Sequence, residues 1–99
     1  MWYAIWAEDR PDSLELRRQY RPEHLLRLHQ LRDQGRLMLA GPLPAIDMDD
    51  PGEAGFTGSL IIAEFADRQE AQRWLDAEPY NIHGVYARTT LKPFRKTLP

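Results

Sequence analysis

Two segments of this chain alternate in the manner of β-strands, yet they are apolar on both faces. In residues 2–7, Trp2 and Trp6 lie on one face and Tyr3 and Ile5 on the other, and residues 60–63 read Leu-Ile-Ile-Ala. A sheet made of such strands needs cover on both sides, because a large exposed apolar surface drives association. The chain must therefore fold into a structure with a layer on each face of its sheet.

The order of the predicted elements provides only one of these layers. Strands are predicted at residues 2–7, 37–41, 58–65 and 84–91, and helices at residues 13–34 and from the capping-box sequence at residues 67–70 to a point before Pro79. This β-α-β-β-α-β order predicts an α+β, ferredoxin-like fold with two helices on one face of a four-stranded antiparallel sheet. We expect the other face to pack against a second copy of the chain, giving a homodimer.

Glycine and proline mark the predicted ends of several elements. Gly35 is suited to end the first helix. Pro22 predicts a break in that helix near Arg21, because proline disfavours a helical conformation in the residue before it. The pair Gly41 and Pro42 is predicted to end the second strand.

The connection at residues 43–57 is longer than two neighbouring strands require. Loops of this length in small domains are usually functional or mobile. Glycines near both of its ends predict a segment that closes over a pocket or onto a partner subunit. An arm that only packs against the partner is an equally good interpretation. Its three aspartates lack the spacing of an EF-hand, so we predict no calcium site there.

Composition excludes several classes of function. The 99 residues, 42% of them hydrophobic, predict one domain over residues 1–99. The absence of cysteine excludes disulfides, thiolate zinc sites and a thiol nucleophile, and three scattered histidines predict no metal site. The apolar N-terminal segment is too short for a signal peptide or a membrane span, so we expect a cytoplasmic protein with no membrane partner.

The charge pattern does not favour nucleic-acid binding. The formal net charge is −2, which gives no overall positive field. Arginines are frequent between Ser13 and Leu37, but acidic residues interleave with them, a pattern typical of a solvated helix face with ion pairs. This interpretation covers Arg17, Arg18, Arg21, Arg27, Arg32 and Arg36.

His24 is the candidate functional residue, because it lies on the apolar side of the first helix. At about 100° per residue it shares a face with Leu28 and Leu31. A side chain that titrates near neutral pH is thus predicted to point inward. It is either a core histidine held by one hydrogen bond or a member of a polar pocket.

Six short segments, in their order and spacing, resemble the YciI-like (YCII-related) family of small bacterial proteins. The resemblance extends from Trp2 to Lys96 and implies the dimeric α/β-barrel arrangement. The segments are Arg-Pro-Glu-His-Leu at 21–25, Gly-Pro-Leu-Pro-Ala at 41–45, Ala-Gly-Phe-Thr-Gly-Ser at 54–59, Pro-Tyr at 79–80, Gly-Val-Tyr at 84–86 and Lys-Pro-Phe at 92–94.

The resemblance implies a pocket with a histidine and an aspartate acting as a pair. His24 matches the histidine, but the position of the acid, directly before Pro-aromatic, is Glu78 in this chain. Either Glu78 keeps the role with a longer reach, or Asp76 replaces it, or the pair is lost. Asp33 is a poor alternative, because it faces the opposite side of the helix and lies roughly 13 Å along it.

Four further residues are predicted to bind substrate: Arg21, Ser59, Gly41 and Pro42. Arg21 is suited to hold a carboxylate or phenolate. Ser59 matches the family position after Gly58. Ser59 is also compatible with an ordinary strand residue, and Arg21 with a surface cation.

A histidine oriented by a carboxylate is a general base at neutral pH that needs neither metal nor cofactor. No Gly-x-Ser-x-Gly motif surrounds Ser59, which disfavours covalent acyl transfer. The remaining chemistry is proton transfer on a small molecule, as in an isomerase, a dehydratase or an elimination. The resemblance favours a cyclic or aromatic-derived substrate. The alternative is a dimeric module that binds a small ligand without catalysis, or a purely structural protein.

Overall fold

An antiparallel four-stranded sheet carries three helices on one face in the computed structural model, which describes residues 1–99. The strands lie in the order β2-β3-β1-β4, and the predicted ferredoxin-like α+β fold is confirmed. The elements are β1 (Trp2–Asp9), α1 (Leu14–Asp33), β2 (Leu37–Pro44), β3 (Phe56–Glu64), α2 (Arg68–Asp76), α3 (Pro79–Ile82) and β4 (Tyr86–Phe94), with a 3₁₀ turn at Gly52–Ala54.

The main core lies between the sheet and the helices α1 and α2. Tyr3 and Ile5 of β1 pack with Leu28 and Leu31 of α1, and Leu75 of α2 belongs to the same cluster. A smaller cluster around α3 contains Ala7, Tyr80, Val85 and Tyr86. The alternation of β1 therefore buries its odd-numbered residues under the helices.

The opposite face of the sheet is apolar and open. Trp6 lies beside Leu60 of β3, and Ala4 lies beside Ile62, which in turn neighbours Leu39 of β2. Trp6 is 47% exposed and Leu39 is 44% exposed. The sequence expectation of strands that are apolar on both sides is thus met, and the homodimer stays a prediction.

The predicted break near Arg21 is wrong, because α1 is one continuous helix through Pro22. Proline has no N–H to donate to the carbonyl of Arg18, so the helix loses a single hydrogen bond there. The burial of Arg17 before the proline and of His24 after it holds both halves against the sheet. None of the helices has both the length and the apolar character needed to cross a lipid bilayer.

Gly35 ends α1 as predicted, with a φ of +70°. The N–H groups of Gly35 and Arg36 donate to the carbonyls of Arg32 and Leu31 at 2.9 and 2.8 Å. This is the Schellman arrangement, which satisfies carbonyls that the end of a helix leaves free. The turn directs the chain into β2.

All four strands differ from the predicted bounds by one to three residues at one end or both, and the differences in β2 and β4 have a clear cause. β2 does not end at Gly41 and Pro42 but continues to Pro44, because it is an edge strand, where a residue without an N–H is tolerated. β4 begins at Tyr86 rather than Gly84, which has a φ of +80°.

The short helix α3 was not predicted, since four residues are too few for a periodic pattern. Its local signals are a proline in the first turn and an acidic N-cap.

Candidate active site

A cavity of about 230 Å³ lies between α1 and the β2–β3 edge of the sheet. Helix α1 contributes Arg17, Arg21, His24, Leu25 and Leu28. The strands contribute Ala40, Gly41, Pro42, Ser59 and Ile61, and α3 contributes Tyr80. A larger depression of about 500 Å³ near the start of α1 contains no histidine. The smaller cavity is therefore the one with an imidazole in its wall.

His24 and Glu78 are in direct contact behind this wall. Nδ1 of His24 hydrogen-bonds Oε1 of Glu78, and the Glu78 side chain is completely buried. The two-residue gap between α2 and α3 places Glu78 under α1. Glu78 is also the N-cap of α3 and accepts the N–H of Tyr80 at 3.4 Å. Since a carboxylate accepts hydrogen bonds, Nδ1 carries the proton and Nε2 is the free nitrogen of His24.

Arg27 holds the second oxygen of the same carboxylate. Its Nη1 donates to Oε2 of Glu78 at 3.1 Å, and its Nη2 donates to the carbonyl of Trp74 at 2.9 Å. The guanidinium also lies 4.4 Å from the centre of the Trp74 ring. Arg27 stabilises the charge of the buried carboxylate and fixes its orientation toward His24.

Tyr80 fixes the plane of the imidazole. The two rings stack with their centres 4.1 Å apart and an angle of 13° between them. The hydroxyl of Tyr80 donates to the carbonyl of Arg17 at 3.1 Å. Burial raises the pKa of Tyr80, while Arg17 and Arg21 act to lower it, so the phenol stays neutral near pH 7. Tyr80 is thus a neutral platform for His24.

Arg17 forms a second buried cluster in the same cavity. Its Nε and Nη2 donate to the two oxygens of Asp9 at 2.5 and 3.1 Å. Nη2 also lies 2.8 Å from the carbonyl of Gly58 and 2.8 Å from Oγ of Ser59. A Cβ at Gly58 would lie 2.0 Å from the carbonyl oxygen of Ala7, so only glycine allows this close approach of the strands.

Tyr86 of β4 packs edge-on against Tyr80, and its hydroxyl is buried without a hydrogen-bond partner. Burial is the largest cause that raises the pKa of Tyr86, and the Ser59 hydroxyl acts in the opposite direction. This hydroxyl is the one buried side-chain polar atom of the chain that is left unpaired.

The structure brings most of the predicted site residues together. Arg21, Ser59, Gly41 and Pro42 line the cavity with His24, and Glu78 supports His24 from behind. The alternative acids are elsewhere: Asp76 is exposed and accepts a hydrogen bond from Gln72 at 2.8 Å, while Asp33 pairs with Arg32. Of the three acids weighed for the histidine, Glu78 is the one in contact with it.

Two arginines that belong to the site were not singled out from the sequence. Arg17 is only 6% exposed, so the interpretation of the α1 arginines as a solvated face is wrong for this residue. It is also wrong for Arg27, which is held by Glu78. Arg17 lies seven residues before His24, which places both on one helix face, and this spacing was a usable signal.

The long connection lies beside the cavity. Its 3₁₀ turn is held to α1 by an ion pair of Arg18 with Glu53 at 2.9 Å, and Gly55 packs against Leu14. Next to the first cavity is a second one of about 240 Å³, which Asp50 and Gly52 of this connection help to line. Closure of the segment over a ligand stays a prediction.

Comparison with known proteins gives matches over almost the full length. Residues 1–95 match the family described as the YCII-related domain. Protein YciI of Escherichia coli is 56% identical over 96 residues, which cover 97% of this chain and 98% of the relative. An uncharacterized protein of Haemophilus influenzae is 51% identical over the same shares of both chains.

Among solved structures, the chain is similar to the 5-chloro-2-hydroxyhydroquinone dehydrochlorinase of Burkholderia phenoliruptrix in complex with 2,5-dihydroxybenzoquinone. The TM-score is 0.86, with 25% identity over 98% of this chain and 96% of the other.

Proposed function

Since this chain belongs to the YCII-related family, we propose that it is a small-molecule enzyme that transfers a proton on a cyclic, hydroxylated substrate. His24 is the catalytic base and Glu78 the residue that orients it, within one domain over residues 1–99. The observation that carries the proposal is the buried contact between Nδ1 of His24 and Glu78 at the wall of a cavity.

The pair has the arrangement that a general base requires. Glu78 accepts a hydrogen bond from Nδ1–H, so Nε2 of the neutral ring is unprotonated and able to take a proton from the substrate. The imidazolium that forms is then stabilised by the buried carboxylate beside it. Tyr80 keeps the ring in place through stacking, so that little reorientation is needed during the reaction.

The cavity has the size of a single substituted ring. A cavity of about 150 Å³ holds one benzene molecule, and the one beside His24 measures about 230 Å³. Leu25, Leu28 and Ile61 provide apolar contacts for a ring face, while Ser59 and the arginines provide donors. A six-membered ring with a few oxygen substituents fits this combination of volume and polarity.

Among the reactions open to such a pair, we favour an elimination. In it the base removes a proton from the substrate, and the electron pair left behind forms a double bond as a leaving group departs. The similarity to a dehydrochlorinase solved with a quinone supports this choice. Isomerisation and dehydration use the same proton transfer and stay open as reaction types.

We further propose a cytoplasmic homodimer formed through the open face of the sheet. The face around Trp6 and Leu39 is apolar, and joining two copies there would bury well over about 1,000 Å². Light scattering at micromolar concentration tests this. A monomer at that concentration would contradict the dimer without affecting the site.

The function is tested with His24→Gln and the control His29→Gln, which alters an exposed histidine of the same helix. We expect release of chloride from 5-chloro-2-hydroxyhydroquinone by the unmodified protein. We expect the rate to fall by about 10²- to 10⁴-fold in His24→Gln and to stay unchanged in His29→Gln. Thermal unfolding of each variant checks that the fold is kept.

Other outcomes would change the assignment. A protein that binds 2,5-dihydroxybenzoquinone but turns over neither the chlorinated compound nor related hydroxylated rings would be a binding module. If His24→Gln lowers stability by about 1 to 3 kcal/mol and no ligand binds the unmodified protein, His24 is a structural core residue.

A further inference from the structure

Arg17 has a donor that none of its protein contacts uses. Its Nε and Nη2 supply every hydrogen bond that the side chain makes with Asp9, Gly58 and Ser59. Nη1 makes no hydrogen bond, and it is not among the buried polar atoms that lack a partner. Because Arg17 lines the cavity, its free Nη1 edge is open to it.

The position of this edge is fixed before any ligand arrives. Asp9, with a side chain only 1% exposed, holds the guanidinium through two hydrogen bonds. The guanidinium also lies 4.9 Å from the centre of the Tyr80 ring, the same ring on which His24 stacks. The free donor and the catalytic histidine are therefore held relative to each other by one tyrosine.

The charges around the cavity favour an anion. The charge of Arg17 is offset by Asp9, and that of Arg27 by Glu78. Arg21, which lines the cavity, takes part in no ion pair of the structure. With His24 neutral, the lining has one uncompensated positive charge.

The uncompensated charge, that of Arg21, lies on the strip of lining residues that the two neighbouring cavities share. Arg17, Arg21, Pro42 and Tyr80 line both the cavity of His24 and the second cavity of about 240 Å³. The second cavity, unlike the first, is also lined by Asp50, whose carboxylate would repel an anion. The shared strip is therefore the favoured position for a negative group.

We infer that Arg17 Nη1 and Arg21 form a binding site for an ionised oxygen on the substrate ring. The inference rests on the proposed function, because it assumes a ring beside His24. It identifies the substrate class as an acidic ring compound, bound as an enolate, phenolate or carboxylate. Arg17 gives a directed, pre-positioned hydrogen bond and Arg21 gives the net charge. The ionised oxygen sets which ring position faces Nε2 of His24.

The test compares two ring compounds by calorimetric titration. One is 2,5-dihydroxybenzoquinone, whose hydroxyls are vinylogous carboxylic acids and are ionised at neutral pH. The other is 2,5-dimethoxybenzoquinone, which has a similar ring and no charge. We expect the anion to bind at least about tenfold more tightly, as one charge-assisted hydrogen bond provides.

Three variants locate the anion site. Arg21→Gln removes the free charge, and Arg17→Lys keeps the charge at Asp9 but loses the second guanidinium edge. We expect both to lose most of the preference for the anion. The control Arg32→Gln removes a charge from the exposed end of the same helix and should keep the preference. If Arg17→Lys does not fold, the ¹⁵N resonances of the Arg17 guanidinium in the unmodified protein should shift with the anion and not with the dimethoxy compound.

The outcomes separate this inference from the proposed function. Equal affinity for the two compounds would overturn the anion site and leave the histidine mechanism intact. A preference that survives in Arg17→Lys, or resonances of Arg17 that do not respond to the anion, would also overturn it. Failure of both compounds to bind would overturn the inference together with the proposed function.

Discussion

Two buried carboxylates pair with arginines of α1, and they do so in different ways. Asp9 gives both oxygens to Arg17, at 2.5 and 3.1 Å. Glu78 divides its oxygens between His24 and Arg27, the latter at 3.1 Å. A carboxylate bound on both sides by a cation that does not titrate is a structural clamp. A carboxylate shared with an imidazole supports a group that exchanges protons.

The difference follows from the elements that carry the two acids. Asp9 is the last residue of β1, so its backbone is fixed by the sheet and its side chain reaches only the first half of α1. Glu78 lies in the short gap between α2 and α3, where its longer side chain extends beneath the middle of α1. The same pairing of an acid with an arginine thus serves two purposes along one helix.

The largest effect on stability is expected from Asp9→Asn, which breaks the clamp. The buried Arg17 then loses its counter-charge and keeps only neutral partners, the carbonyl of Gly58 and the hydroxyl of Ser59. We expect the free energy of unfolding to fall by about 3 to 5 kcal/mol, the cost of leaving one member of a buried ion pair alone. Urea unfolding measures it.

The control for this variant is Asp33→Asn. Asp33 pairs with Arg32 at the surface, where both side chains are more than 60% exposed. We expect a change in stability within about 0.5 kcal/mol. Should Asp9→Asn instead leave stability intact and abolish turnover, Asp9 would act in the chemistry and the distinction between the two carboxylates would be lost.

A smaller effect, and one on the reaction rather than on the fold, is expected from Arg27→Gln. Arg27 does not line the cavity, so substrate affinity should not depend on it. With one oxygen of Glu78 released, the carboxylate holds His24 less firmly, and we expect kcat to fall about tenfold with KM unchanged. Steady-state kinetics on the chlorinated hydroxyhydroquinone measures both constants.

The companion variant Arg27→Lys keeps a cation near Glu78 and should recover part of the lost kcat. The variant Arg32→Gln alters an exposed arginine of the same helix that lines neither cavity, and as the control it should leave kcat unchanged. A rise in KM with constant kcat in Arg27→Gln would show that Arg27 contributes to binding, and it would place this residue with Arg17 rather than with Glu78.

The sequence was informative where a pattern repeats along one element. The helical period places His24 on the same face as Leu28 and Leu31, and all three are buried. Strand alternation likewise predicted the two apolar faces of the sheet. Such patterns are local, so they do not depend on knowing which element lies opposite.

The sequence was not informative where a partner from a distant segment decides the outcome. Arg17 and Arg18 are adjacent in the sequence. Arg17 is buried and paired with Asp9 of β1, whereas Arg18 is exposed and paired with Glu15 and Glu53. Composition alone cannot separate them. The sequence does not decide which acid contacts His24 for the same reason, since Glu78 lies 54 positions after it.

The smallest expected effect concerns Tyr86, which lies next to the Arg17 clamp. Its hydroxyl is buried and unpaired, so Tyr86→Phe removes a polar group that has no partner. At neutral pH we expect stability to stay the same or to rise by up to about 1 kcal/mol, as measured by urea unfolding. A loss of more than about 1 kcal/mol would show that the hydroxyl has a bonding partner and belongs to the clamp.

The pH dependence of the stability of Tyr86→Phe tests whether burial of the Tyr86 hydroxyl raises its pKa. Burial raises the pKa of Tyr86 above the value of about 10 in the unfolded chain. As pH rises past 10, the unfolded chain therefore loses its proton first, and the folded state loses stability at up to about 1.4 kcal/mol per pH unit for this group. Tyr86→Phe should reduce this alkaline loss but not abolish it, because burial also raises the pKa of Tyr80. An unchanged slope in Tyr86→Phe would mean that the Tyr86 side chain reaches solvent in the folded protein as its proton leaves.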